Sequence, residues 1–134
     1  MSRRFMLDTN AVSAFMRGRS PALDRRIVEI DRDALVISAV AYGETNYGLA
    51  LRQEAVRLHA MARALFERVS ILAWTPETAE RYGRLRAEMR SIGKSLQPLD
   101  MLIAAHALEA GATLVTSDRA FSHVPGLAVE DWMF

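Results

Sequence analysis

Short apolar runs alternate along this chain with longer stretches whose apolar residues recur at helical spacing, the pattern of an α/β domain on a mainly parallel sheet. Phe5-Met6-Leu7 predicts a first strand and residues 10–17 a helix. Ser20-Pro21 opens a second helix that reaches about residue 31, with Ser20 as its cap and Pro21 at the first helical position. Leu35-Val36-Ile37 predicts a second buried strand. Helix formers dominate residues 39–68, which predicts two helices with a break near residues 52–54. A third strand is expected over residues 69–73. Thr75-Pro76-Glu77 then begins a helix that runs to Ser91 or Ile92, before Gly93. Its basic end, with Arg86, Arg90 and Lys94, suits a helix C-terminus. Pro98 starts an almost wholly apolar helix over residues 99–110, and Gly111 ends it where a left-handed cap is preferred. A helix apolar on most sides is buried. Strands are expected at residues 113–116 and 127–129.

Size and composition narrow the class. A chain of 134 residues with 51% hydrophobic and 25% charged residues reads as one globular domain, residues 1–134, able to bury a core of its own. It contains no cysteine, so disulfides, thiolate metal sites and thiol nucleophiles are excluded. No apolar run approaches the roughly 18 residues a membrane span needs. In the opening Met-Ser-Arg-Arg-Phe-Met-Leu-Asp, charge interrupts the apolar run too early for a signal-peptide core, and a cytoplasmic location is expected. The net charge is only +1, so binding to a polyanion must rely on local patches. Lys94 is the single lysine among 17 basic residues.

The placement of four acids suggests chemistry. Asp8 directly follows the first predicted strand and Asp118 follows Leu114-Val115-Thr116-Ser117. Asp100 falls in the first turn after Pro98, and Glu44 lies one to two turns into the helix after the second strand. In an open parallel sheet the carboxyl ends of the strands converge on one crevice. Carboxylates gathered there repel one another and raise each other's pKa unless a cation neutralises them. Hard oxygen ligands without cysteine favour Mg²⁺, with Mn²⁺ as a substitute, over Zn²⁺. Because Mg²⁺ takes one or two direct carboxylates and keeps several waters, Asp8 and Asp100 are expected nearest the ion, and Glu44 and Asp118 are expected to act through water. Such a site stabilises negative charge on a phosphodiester in an in-line displacement.

The surrounding residues are more specific than the spacing. Met6-Leu7-Asp8-Thr9-Asn10, the Glu of Ala41-Tyr42-Gly43-Glu44, Leu99-Asp100-Met101-Leu102-Ile103-Ala104-Ala105-His106-Ala107 and Leu114-Val115-Thr116-Ser117-Asp118-Arg119-Ala120-Phe121 resemble the four motifs of PIN-domain ribonucleases. The tail, Val124-Pro125-Gly126-Leu127 to Glu130-Asp131-Trp132, resembles the branch that holds VapC-type toxins of bacterial toxin–antitoxin pairs. The resemblance spans residues 5–132. It implies a PIN-like three-layer α/β/α sandwich with a mainly parallel sheet of about five strands. It also implies metal-dependent cleavage of RNA, homodimerisation and inhibition by a cognate antitoxin, with promoter DNA contacted only through that antitoxin. The family's acids carry over to Asp8, Glu44, Asp100 and Asp118. Its hydroxyl before the last acid carries over to Thr116, with Ser117 as the alternative, and Asn10 is a supporting candidate.

Each residue also has a plainer use. Asp8 can cap the helix that begins near Asn10, worth about 1 kcal/mol, Asp118 can cap a short turn through Arg119 to Phe121, and Asp100 suits a first helical turn. Glu44 is a good helix former that is usually solvated. His106, far in sequence from His59 and His123, reads as a satisfied core or surface histidine. Val12, Phe15 and Met16 form a stripe that packs in the core or receives a partner, and Tyr42, Tyr47 and Trp74 are open to either use. Arg4, Arg17, Arg19, Arg86, Arg90 and Lys94 could flank the crevice or simply be solvated.

The preferred reading is a Mg²⁺-dependent endoribonuclease toxin that hydrolyses a structured RNA such as transfer RNA, leaving a 5′-phosphate. The competing reading is a catalytically silent module that binds an antitoxin and its DNA. A phosphotransfer receiver also places acids at strand ends, but it wants a lysine near its last strand, and Lys94 precedes the buried helix.

Overall fold

The computed structural model describes residues 3–134. The chain runs through β1 (Arg4–Leu7), α1 (Thr9–Met16), α2 (Pro21–Glu29), β2 (Leu35–Ser38), α3 (Ala39–Ala50), α4 (Val56–Phe66), β3 (Ser70–Leu72), α5 (Pro76–Ser91), α6 (Pro98–Ala110), β4 (Ala112–Val115) and β5 (Val129–Glu130). Short 3-10 turns cover Arg32–Ala34 and Arg119–His123. The five strands form one parallel sheet in the order β3-β2-β1-β4-β5.

The central strands are buried on both faces, as their unbroken apolar runs require. Successive side chains alternate between two cores. Phe5, Leu7, Leu35 and Ile37 pack on one face with Val12 and Phe15 of α1, Leu23 and Ile27 of α2 and Leu65 of α4. Met6, Val36 and Leu114 pack on the other with Leu85 and Met89 of α5 and Ile103 and Ala107 of α6. The result is the expected three-layer α/β/α sandwich. Each fully buried Leu or Ile contributes about 1.5–3 kcal/mol.

The helix boundaries follow from capping. The Ser20 hydroxyl accepts from the Leu23 N–H at 3.1 Å, and Pro21 stands at the first helical position of α2. Thr75 and Thr78 form a reciprocal capping box that opens α5. Gly111 ends α6 with φ 67°, a left-handed conformation that a side chain would strain. The break between α3 and α4 is wider than expected and covers residues 51–55.

The last strand lies later than residues 127–129. Leu127 packs into the core while its N–H still bonds the Val124 carbonyl in a turn, so pairing with β4 begins only when the Ala128 carbonyl accepts from Leu114 at 2.9 Å. Glu130 closes the edge: its carboxylate accepts from Arg3 at 2.7 Å and from the Trp132 indole at 2.9 Å. No helix among the described residues is long and apolar enough to cross a membrane.

Candidate active site

Beyond β2 and β3 the chain crosses back to place β4 on the opposite side of β1, so β1 and β4 flank the switch point of the sheet. Crevices at the carboxyl ends of strands form there. Asp8 is the first residue after β1, and its N–H donates to the Val115 carbonyl at 3.1 Å, extending the β1–β4 ladder by one bond. Its side chain is fixed from both sides. Oδ1 accepts the Ala11 N–H at 2.7 Å, which caps α1, and Oδ2 accepts the Thr116 hydroxyl at 2.5 Å. The capping and site roles of Asp8 therefore coexist in one side chain, which explains why α1 starts at Thr9.

Asp8 is 2% exposed. Burial lifts its pKa to about 6, against the lowering effect of the Thr116 and Ala11 hydrogen bonds, and the charges of Asp100 and Asp118 raise it further. Asp100, half-buried in the first turn of α6, is also raised, by burial and then by Asp118. Asp118 is held by its own loop. Its N–H donates to Thr116 Oγ1 at 3.0 Å, and its Oδ1 accepts from Ala120 at 2.9 Å. Three of the four sequence-derived acids thus share one electrostatic site.

Glu44 lies on α3, which packs against α1. Half-buried on α3, it lines a groove of about 130 Å³ together with Thr9, the residue after Asp8, and with Ser13 and Arg17 of α1. Of the two candidate hydroxyls, that of Thr116 is the one bonded to Asp8. The Ser117 hydroxyl instead donates to Asp131 at 3.0 Å. Asn10 lies on the exposed side of α1, in a recess of about 180 Å³ shared with Arg19 and Ser117. Asp131 was legible only as part of the tail motif, because its partner lies on a different loop.

His106 is a core residue, as the plainer reading has it. It is 1% exposed, bonds Ser38 Oγ at 2.7 Å and meets the Trp74 ring edge-on. Burial lowers its pKa, opposed by Glu109 and by a hydrogen bond to the Ala73 backbone.

The charge arrangement is unusual for a purely structural cluster. Among the described residues, the ion pairs join Arg3 and Arg26 to Glu130, and none reaches Asp8, Asp100 or Asp118. Buried carboxylates left without a protein cation are costly. A hard divalent cation fits this donor set. Among the described residues no three acidic or histidine side chains stand in ready coordination geometry.

A PIN domain profile matches residues 5–127. The chain belongs to the PIN domain family. The chain is 34% identical over 130 residues, 96% of its own length and 98% of the relative's, to the tRNA(fMet)-specific endonuclease VapC of Shigella flexneri. It is 30% identical to Ribonuclease VapC2 of Haemophilus influenzae, across 97% of this chain and 98% of that one. Among solved structures, the DNA-bound VapBC of Salmonella typhimurium superposes with a TM-score of 0.89 at 29% identity, covering 98% of this chain and 99% of that one. VapBC2 of Rickettsia felis bound to a promoter DNA fragment superposes with a TM-score of 0.88 at 26% identity, over 96% and 98%. The PIN profile runs through Asp8, Glu44, Asp100 and Asp118, and the full-length relatives named here are VapC nucleases.

Proposed function

We propose that this PIN-domain chain is a Mg²⁺-dependent endoribonuclease toxin that hydrolyses a structured RNA such as transfer RNA and is neutralised by a cognate antitoxin. The observation that carries the reading is the trio Asp8, Asp100 and Asp118, semi-buried at the switch point of the sheet without a protein cation. The RNA and toxin parts are supported by the full-length VapC relatives, and the antitoxin by the VapBC neighbours.

Asp8 and Asp100 would hold the ion, with Glu44 and Asp118 acting through water, and the ion would supply Lewis-acid stabilisation of the charge that develops on the phosphodiester. The protein's own part is positioning. Thr116 and the Ala11 N–H lock the Asp8 carboxylate in one orientation, and the Ala120 N–H does the same for Asp118. Water is the nucleophile rather than the ribose 2′-hydroxyl, so the product carries a 5′-phosphate. The protein works as a homodimer and reaches promoter DNA only through its antitoxin.

The test is cleavage of total RNA by purified protein with Mg²⁺ or Mn²⁺, with EDTA, and with Asp100→Asn in parallel. Metal-dependent cleavage that is lost in the variant supports the reading. A 2′,3′-cyclic phosphate product overturns the mechanism. Absence of cleavage on any RNA with either metal leaves the silent antitoxin-binding module as the better description.

A further inference from the structure

We propose that the groove between the C-terminal half of α5 and the start of α6 is the track that binds the phosphates of the RNA strand leading to the acidic site. The proposal rests on reading the chain as an RNA-cleaving enzyme and assigns part of its substrate contact to Arg86, Arg90 and Lys94.

The groove has a volume of about 730 Å³, the largest of the cavities described, and its lining includes Gly83, Arg86, Arg90, Lys94, Leu96 and Met101. A space of this size admits a nucleotide-sized group. Three cations and no acid line it. Arg86 and Arg90 are four residues apart and therefore share one face of α5. Lys94 joins them through a turn at the end of α5. The Lys94 N–H bonds the Met89 carbonyl at 3.0 Å and the Gly93 N–H bonds the Arg90 carbonyl at 3.1 Å, with Gly93 at φ 70°. This paired closure, which needs the left-handed residue that glycine supplies, folds the chain back so that the lysine flanks the same groove.

None of the three cations is neutralised. Among the described residues the ion pairs fall on Glu130, and the one side-chain bond in this group runs from Arg86 Nη1 to the Tyr82 hydroxyl at 3.0 Å. All three side chains are exposed. Helix C-terminal cations have a plainer use in offsetting the macrodipole, which accounts for Arg90 but not for Arg86 on the preceding turn or for the open groove between the three. The floor supplies the direction. Met101 is buried beneath the groove, and Asp100 immediately precedes it in the first turn of α6. The groove therefore borders the first turn of α6, the turn that carries Asp100. In a chain whose net charge is only +1, phosphate affinity has to come from local clusters of cations such as this one.

The test measures binding of a fluorescein-labelled oligoribonucleotide in EDTA, where no cleavage occurs, across a salt series. The variants are Arg86→Gln/Arg90→Gln/Lys94→Gln and a control with equal charge loss elsewhere, Arg25→Gln/Arg32→Gln/Arg63→Gln, with circular dichroism and thermal melts to establish that both fold. The groove variant is expected to bind roughly 10-fold more weakly, with a slope of log affinity against log salt shallower by about 2, while the control stays near wild type. Arg86→Lys/Arg90→Lys retains charge and is expected to recover most of the binding. Equal loss in both variants, or no loss in the groove variant, overturns the proposal. So does unchanged RNA binding accompanied by loss of self-association or of an acidic protein partner. Wild-type cleavage that the groove variant shares in full leaves the nuclease reading standing without this track. Groove-dependent binding by a wild-type protein that cleaves nothing with either metal supports the track and rejects the nuclease reading.

Discussion

The Thr116 hydroxyl donates to Asp8 Oδ2 across 108 residues of chain, and the same oxygen of Thr116 accepts the Asp118 N–H at 3.0 Å. One hydroxyl thereby ties the acid after β1 to the loop that carries the acid after β4. Thr116→Val removes this tie at constant shape and leaves a buried carboxylate with one donor fewer. The expected results are a fall in cleavage rate of roughly 10-fold or more and a stability loss of about 1 kcal/mol. Because the Thr116 bond lowers the Asp8 pKa, the acid limb of the pH–rate profile is expected to move upward in this variant. Thr116→Ser retains the hydroxyl and restores both rate and profile.

Asp8 titrates near 6 in the folded protein, against an ordinary value of 3.8. The folded state therefore holds this proton more tightly than the unfolded chain. Its contribution to stability is complete below about 3.8 and is lost as pH rises through about 6. Asp8→Asn keeps the Oδ1 acceptor for the Ala11 N–H and replaces the second acceptor with an amide N–H that can donate to Thr116 Oγ1, without the charge. In the metal-free protein at about pH 8 it is expected to raise stability by on the order of 2 kcal/mol while abolishing cleavage. Thermal melts against pH check this, and an Asn variant that melts lower than wild type at pH 8 contradicts it.

Divalent cation should relieve the same repulsion. Titrating Mg²⁺ into the metal-free protein at neutral pH is expected to raise the melting temperature, with about 2.7 kcal/mol gained at a hundred times the dissociation constant. EDTA reverses the gain, and Asp8→Asn or Asp100→Asn suppresses it. An equal rise in the variants would place the ion elsewhere.

His106 works in the opposite pH sense. Burial holds its pKa below the ordinary 6.5, so the unfolded chain takes up this proton more readily than the folded one. The contribution of the neutral ring is complete above 6.5 and is lost as pH falls below it. Since the ring bonds Ser38, the residue that caps α3, acid is expected to loosen the junction of β2 and α3. Comparing the slope of melting temperature against pH for wild type and His106→Gln isolates this group, and identical slopes between pH 5 and 7 reject it.

The sequence by itself determined the layers and most of the element boundaries, because these depend on local chemistry. Apolar runs of strand length at Phe5-Met6-Leu7 and Leu35-Val36-Ile37 require burial on both faces, and the caps at Ser20, Thr75 and Gly111 act within a turn of their own helices. The motifs around Asp8, Glu44, Asp100 and Asp118 were legible for the same reason, each being a short run of neighbours. Only the tertiary structure decided what joins them. The parallel register of β1 with β4 brings Thr116 rather than Ser117 onto Asp8, since successive residues past a strand point in different directions. The packing of α3 against α1 likewise sets Glu44 in a groove with Thr9, the neighbour of Asp8. The start of the last strand at Val129 was likewise invisible locally, because pairing with β4 and packing of Leu127, not residue preference, set where it begins. Contacts within a few residues are written in the local pattern, whereas contacts across a hundred residues exist only once the sheet has brought its strand ends together.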